Sequence, residues 1–139
     1  LSRPKGVPDA AIFGLRKFSI AGTLKGGELR VHGLYYSVDP YMRGRMNDAK
    51  SYVLPFKLNR ALEGSVVARV GESNAPGFKP GDLVVGQLPW ATESVVRADK
   101  VRVIDTSRAL ASEYLGVLGM TGLAAYFGML RIGRPKKGE

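Results

Sequence analysis

Apolar and polar residues alternate over several short stretches, the period of a strand with one buried face. Leu29 and Val31 share one phase, while Leu34, Tyr36 and Val38 share the other. The switch at Gly33 predicts a β-bulge, because one extra residue turns every later side chain to the opposite face. Leu62, Val66, Ala68 and Val70 keep a single phase, with Gly64 at an intervening strand position, and predict a half-buried strand. Leu83–Leu88, Ser94–Arg97 and Val101–Ile104 predict further short strands, and Phe13–Phe18 a weaker one near the front. Short strands at this spacing, separated by Gly and Pro, predict a small barrel or sandwich.

The turns carry their own chemistry. Lys79-Pro80-Gly81-Asp82 puts Pro at i+1 and Gly at i+2, the requirement of a type II turn, just before Leu83. Lys25-Gly26-Gly27-Glu28 leads into Leu29 in the same way, and Lys136-Lys137-Gly138-Glu139 repeats the pattern a third time. Two of the three launch a strand within the chain. The third is therefore expected to launch a strand in a longer parent protein; the other reading is a charged tail. Toward the end the period changes. Leu123, Tyr126, Phe127 and Leu130 fall on one helical face, with Thr121 as N-cap and Gly133 and Pro135 as stops. A shorter helical turn is expected over Ala111–Leu118, ending at Gly119. The chain thus divides into a strand-rich body, 1–110, and a helical connection, 111–139.

Composition narrows the chemistry. The 139 residues suffice for one domain with a core. There is no Cys and a single His, His32, so no zinc site can be assembled from thiolates and imidazoles, and there is no disulfide framework. No G-x-S-x-G elbow accompanies His32, which leaves it a half-exposed strand residue. The uncharged run Tyr114–Leu130 is short for a membrane span and holds four glycines, so a buried segment is expected. No apolar leader follows Leu1. The net charge of +9 raises nucleic acid, a membrane surface or an anionic cofactor as partners. The Lys and Arg residues are scattered, however, and the aromatics are not interleaved with them as single-strand binders require.

Two segments stand out from the scaffold. In Val38-Asp39-Pro40-Tyr41-Met42-Arg43-Gly44-Arg45-Met46 an aromatic, thioethers and two guanidinium groups follow a strand end. That mixture suits a pocket wall. It suits equally a short helical turn that packs Tyr41 and Met42 into the core and leaves Arg43 and Arg45 in water. The second segment, Gly116–Gly128, is rich in small residues, which allow close approach of a backbone or a flat ring. It contains no phosphate-loop pattern, and tight helix packing explains it as well.

The blocks V-D-P-Y-M-R-G-R-M (Val38–Met46), G-V-L-G-M-T-G-L-A-A-Y-F-G (Gly116–Gly128) and I-G-R-P-K-K-G-E (Ile132–Glu139) closely resemble the zinc-free medium-chain dehydrogenase/reductase superfamily. Within it the chain is most similar to the NADP-dependent alkenal/one oxidoreductases. The resemblance spans nearly the whole chain in the right order. It implies a mainly β fold, a GroES-like partly open barrel of short strands followed by one or two helices. It also implies that the Rossmann domain, which holds NADP, is absent from this chain.

The implied reaction is reduction of the carbon–carbon double bond of an α,β-unsaturated ketone or aldehyde, with hydride passing from NADPH to the β-carbon and a proton following. In the family a Tyr of the other domain helps to polarise the carbonyl, so these residues would supply shape rather than acid or base. By the same resemblance Pro40, Tyr41, Met42 and Arg43 line the substrate cleft, with Arg43 either anchoring the loop or facing an anion. Met120, Thr121 and Ala124 approach the nicotinamide. Relatives commonly carry Thr at the position of Ala124, and often Gln at that of Ala91, so two polar groups are missing here. The expected setting is cytoplasmic, without membrane or nucleic acid, with a homodimeric full-length protein and an inactive, self-associating fragment. The competing readings are a self-standing basic domain for an anionic partner such as nucleic acid, and a small chaperone-like module.

Overall fold

In a computed structural model that describes residues 2–138, the chain forms a five-stranded sheet with short helices at its ends. The strands are β1 (Glu28–Tyr36), β2 (Glu63–Asn74), β3 (Leu83–Pro89), β4 (Glu93–Arg97) and β5 (Val101–Val103). Their order across the sheet is β4-β1-β2-β3-β5, and every pairing is antiparallel.

β4 and β5 lie at opposite edges yet are consecutive in the chain, joined only by the 3-10 turn Ala98–Lys100. Five flat strands would put those edges about 19 Å apart. The link from Arg97 to Val101 spans at most about 14 Å. The sheet must therefore curl, and the result is the partly open barrel expected, mainly β, with its edges close but not paired to each other.

The inner face carries Leu29, Val31, Val66, Ala68, Val70, Val84 and Leu88, all essentially buried. Full burial of one such side chain is worth about 1.5–3 kcal/mol. Two register shifts bend the ladder. One leaves Leu34 unpaired next to Gly33, where the phase switch predicts it; the other leaves Gly71 unpaired on β2. The second hid the last third of β2 from the alternation pattern, since beyond it Glu72 and Asn74 are exposed. β2 is also covered on its outer face: Val67 packs with Val85 and Ile104 beneath the 3-10 turn Ala111–Leu115. It is a central strand rather than a half-buried one.

The turn chemistry is as read. In both described K-x-G-acid turns the acid's backbone N–H donates to the Lys carbonyl (Glu28 to Lys25, Asp82 to Lys79; both 3.1 Å). The acid's carboxylate accepts from the Lys backbone N–H. Gly27 and Gly81 hold φ of +80° and +94°. Gly138 has φ +96° in the third copy, whose Glu139 lies outside the described residues, as does Leu1.

Three expectations need correction. Phe13–Phe18 is not a strand: it has no ladder partner after the 3-10 turn Ala10–Ile12, and Leu15 is fully exposed. Alternation alone does not make a strand without a neighbour to pair with. The terminal helix, α2, starts at Met120 and runs to Phe127, with Gly119 rather than Thr121 as N-cap, because the Thr121 hydroxyl turns back to donate to the Gly116 carbonyl. It then widens into a π-helical turn, Gly128–Gly133. The uncharged run Tyr114–Leu130 is not buried: it breaks into these short pieces, and Leu123, Tyr126, Phe127 and Leu130 are each about half exposed. No helix among the described residues is long and apolar enough to cross a membrane.

At Gly86 on β3 a side chain would meet the Lys100 carbonyl and Val101 Cγ1, the atoms of the closing link. Gly86→Ala is expected to destabilise the fold by about 1–3 kcal/mol, read as a lower denaturant midpoint at unchanged slope.

Candidate functional site

β1 ends at Tyr36, and the chain turns over the barrel rim into a single helical turn, α1 (Tyr41–Arg45). The entry is held by Ser37, whose hydroxyl donates to Asp39 (2.5 Å) and whose backbone N–H donates to Ser65 (2.9 Å). Pro40 starts the helix with φ −55°, the value its ring imposes. Met42 points inward and is 4% exposed, its methyl seated against Gly64, where a Cβ would also lie 3.2 Å from Trp90 Nε1. Tyr41 is half-buried and Pro40 exposed.

The two arginines are not left in water. Arg43 donates to the Gly6 carbonyl (2.6 Å) and to Asn47 Oδ1 (2.7 Å), so α1 holds the N-terminal strap. Arg45 donates to the Leu54 carbonyl (2.9 Å) and lies 4.0 Å from the centre of the Phe56 ring, a cation–π contact. Arg3 closes the same region from the strap, donating to the Met46 carbonyl (3.1 Å) and pairing with Asp48 (3.6 Å).

Behind α1, Tyr36 and Trp90 meet edge to face at 6.2 Å, and the Tyr36 hydroxyl donates to the Ala91 carbonyl (2.7 Å). The Tyr36 side chain fills the space a Cβ on Gly33 would need. Trp90 Nε1 is buried with no hydrogen-bond partner. Burial lifts the Tyr36 hydroxyl above its ordinary pKa of 10.0.

Met120, Thr121 and Ala124 sit at the other cluster, exposed on the first turns of α2. Gly119 and Gly122 there lie against the carbonyls of Tyr114 and Val117, so the small residues permit tight winding of this corner. Met120 lines an open groove of about 430 Å³ with Lys100, Arg102 and Leu123. A second cavity, about 290 Å³, lies beneath the strap and is lined by Phe13, Met46, Phe56, Asn59, Leu62 and Trp90 among others. Pro40, Tyr41, Met42 and Arg43 line neither of these two spaces, and Met120 lines only the groove, so among the described residues neither space joins the two clusters. Sequence reasoning missed the strap cavity. Its segments follow no period, and the one available signal was Trp90, the chain's single tryptophan.

A testable consequence concerns Tyr36. Its raised folded-state pKa favours the neutral phenol, so the contribution is complete below pH 10.0 and is lost as pH rises through the folded value. Tyr36→Phe is expected to cost about 0.5–1.5 kcal/mol at neutral pH and to remove this residue's part of the alkaline loss, measured by denaturant melts across pH.

Comparison with known proteins fits this geometry. A family model for the N-terminal domain of oxidoreductase matches residues 1–104. The protein YfmJ of Bacillus subtilis (strain 168) is 54% identical over 137 residues, 99% of this chain and 40% of that protein. NADPH-dependent curcumin reductase of Escherichia coli (strain K12) is 41% identical over 138 residues, again 99% of this chain and 40% of that protein. The crystal structure of CurA in complex with NADPH from Vibrio vulnificus superposes with a TM-score of 0.88 at 38% identity, covering 99% of this chain and 41% of that one. The chain thus spans about 40% of the length of the relatives it matches. These similarities give no support to a self-standing basic binding domain. The chain belongs to the family of N-terminal domains of oxidoreductases, within the medium-chain dehydrogenase/reductase superfamily.

Proposed function

We propose that residues 1–139 form the substrate-side part of an NADP-dependent oxidoreductase that reduces the carbon–carbon double bond of α,β-unsaturated ketones and aldehydes. The observation that carries this reading is the 41% identity to an NADPH-dependent curcumin reductase across 99% of the chain. Within the Val38–Met46 block, which the resemblance assigns to the substrate cleft, Tyr41–Arg45 folds as a short helix after the end of β1.

When bound, NADPH supplies the hydride. The residues present suit the nicotinamide end of that cofactor and not its phosphates. Met120 and Ala124 offer an exposed apolar surface, and the Thr121 hydroxyl already donates within the chain, leaving only its oxygen as an acceptor. No Gly-rich phosphate loop accompanies them, so NADP is held mainly outside residues 1–139. Pro40 and Tyr41 line the substrate cleft, Met42 backs them from the core, and Arg43 keeps α1 fixed to the strap. The barrel body, 1–110, thus shapes the cleft, and 111–139 connects it to the nucleotide-binding part. The reading needs no metal. The resemblance implies a homodimeric full protein, and the exposed apolar side chains of α2 support self-association of residues 1–139 alone.

The full-length protein is expected to consume NADPH with an enone panel, and Tyr41→Ala to lower kcat/KM at least about tenfold, or about 1.4 kcal/mol of transition-state stabilisation. Residues 1–139 alone are expected to show no turnover and to self-associate with rising concentration in sedimentation. Enone reduction by residues 1–139 alone, or a full-length protein inert to every enone, would overturn the reading.

A further inference from the structure

We propose that the cavity beneath the N-terminal strap binds a small amphipathic anion: an alkyl chain or single aromatic ring that carries a carboxylate or a comparable negative group. Its volume of about 290 Å³ is too small for a large ligand but ample for such a body. The inner walls are apolar, with Phe13 contributed by the strap and Trp90 by the end of β3. Three cations, Arg3, Lys57 and Arg60, stand on the lining, and no carboxylate does. Arg3 is partly neutralised by Asp48 at 3.6 Å. Lys57 and Arg60 are exposed at the mouth and make no ion pair among the described residues.

An anion whose tail fills the cavity would hold its head between two uncompensated charges, beside a low-dielectric wall where attraction is screened less than in open water. Asn59, which lies between them in the sequence and also lines the cavity, holds φ 58°, a left-handed turn that Asn adopts readily. The cavity includes no residue of α1 and reaches only Met46, the residue that caps it, roughly 9 Å along the helix axis from Pro40. It does not overlap the residues assigned to the substrate cleft, and such a site requires no turnover, so it stands or falls independently of the proposed reaction.

Trp90 lines the cavity and reports its occupancy. The test is a titration of the protein with octanoate and with octanol, read as the emission difference between the protein and its Trp90→Phe variant, and repeated by calorimetry without that variant. Octanoate is expected to bind saturably and about tenfold more tightly than octanol. Lys57→Gln with Arg60→Gln is expected to erase that preference while leaving octanol binding unchanged; both side chains are exposed, and circular dichroism checks the fold. Equal affinities, a preference that survives the double substitution, or no saturable binding of octanoate would each overturn the proposal.

Discussion

β4 and β5 stand at opposite edges of the sheet, and only Ala98–Lys100 joins them. That short link is the constraint from which the architecture follows. It curls the sheet, and a curled sheet has an inside. Leu29, Val31, Val66, Val70, Val84 and Leu88 fill that inside because the alternation of the strands leaves them no other place. Two strand positions leave no room for a side chain: Gly86 beneath the Lys100 carbonyl and Gly64 beneath the side chains of Met42 and Trp90.

Outside the barrel, charge is used to tie segments together. Arg30 reaches across three strands, to Glu72 on β2 (3.1 Å) and Glu93 on β4 (3.0 Å), and holds the carbonyls of Ile20 and Gly22. The hydrogen bond to Glu72, then that to Glu93, keeps its guanidinium even more firmly protonated than usual. Arg3, Arg43 and Arg45 do the same work at the rim. These contacts fix the guanidinium groups in place without cancelling their charge, since a carbonyl acceptor is neutral and the acids are already counted in the net charge of +9. Lys57 and Arg60, which make no ion pair among the described residues, both line one small cavity.

The rim is also where structure and sequence reading diverge most usefully. The Val38–Met46 block read both as a pocket wall and as a packed helical turn, and it is built as a packed turn: Met42 is core and Arg43 an anchor. Its placement at a rim still leaves Pro40 and Tyr41 available to a ligand. Gly119 and Gly122 serve the winding of the corner before α2, which composition could not separate from close approach to a ring. Pro40–Arg43 line neither the strap cavity nor the groove beside Met120.

Local physics made the elements legible in the sequence by itself. Period-two alternation located β1 and β2, short apolar segments between Gly and Pro located β3, β4 and β5, the phase switch placed the bulge beside Gly33, and the turn before β3 followed from the positive φ that a type II turn needs at Gly81. The motif blocks marked the superfamily. Tertiary structure alone decided which alternating segment found a partner: Phe13–Phe18 did not, and β2 continued past Gly71. It alone brought the strap, residues 56–62 and Trp90 around one cavity. The reason is one of range. Turn and strand preferences act between residues a few positions apart, whereas the cavity joins segments dozens of residues apart, which meet only once the short β4–β5 link has curled the sheet.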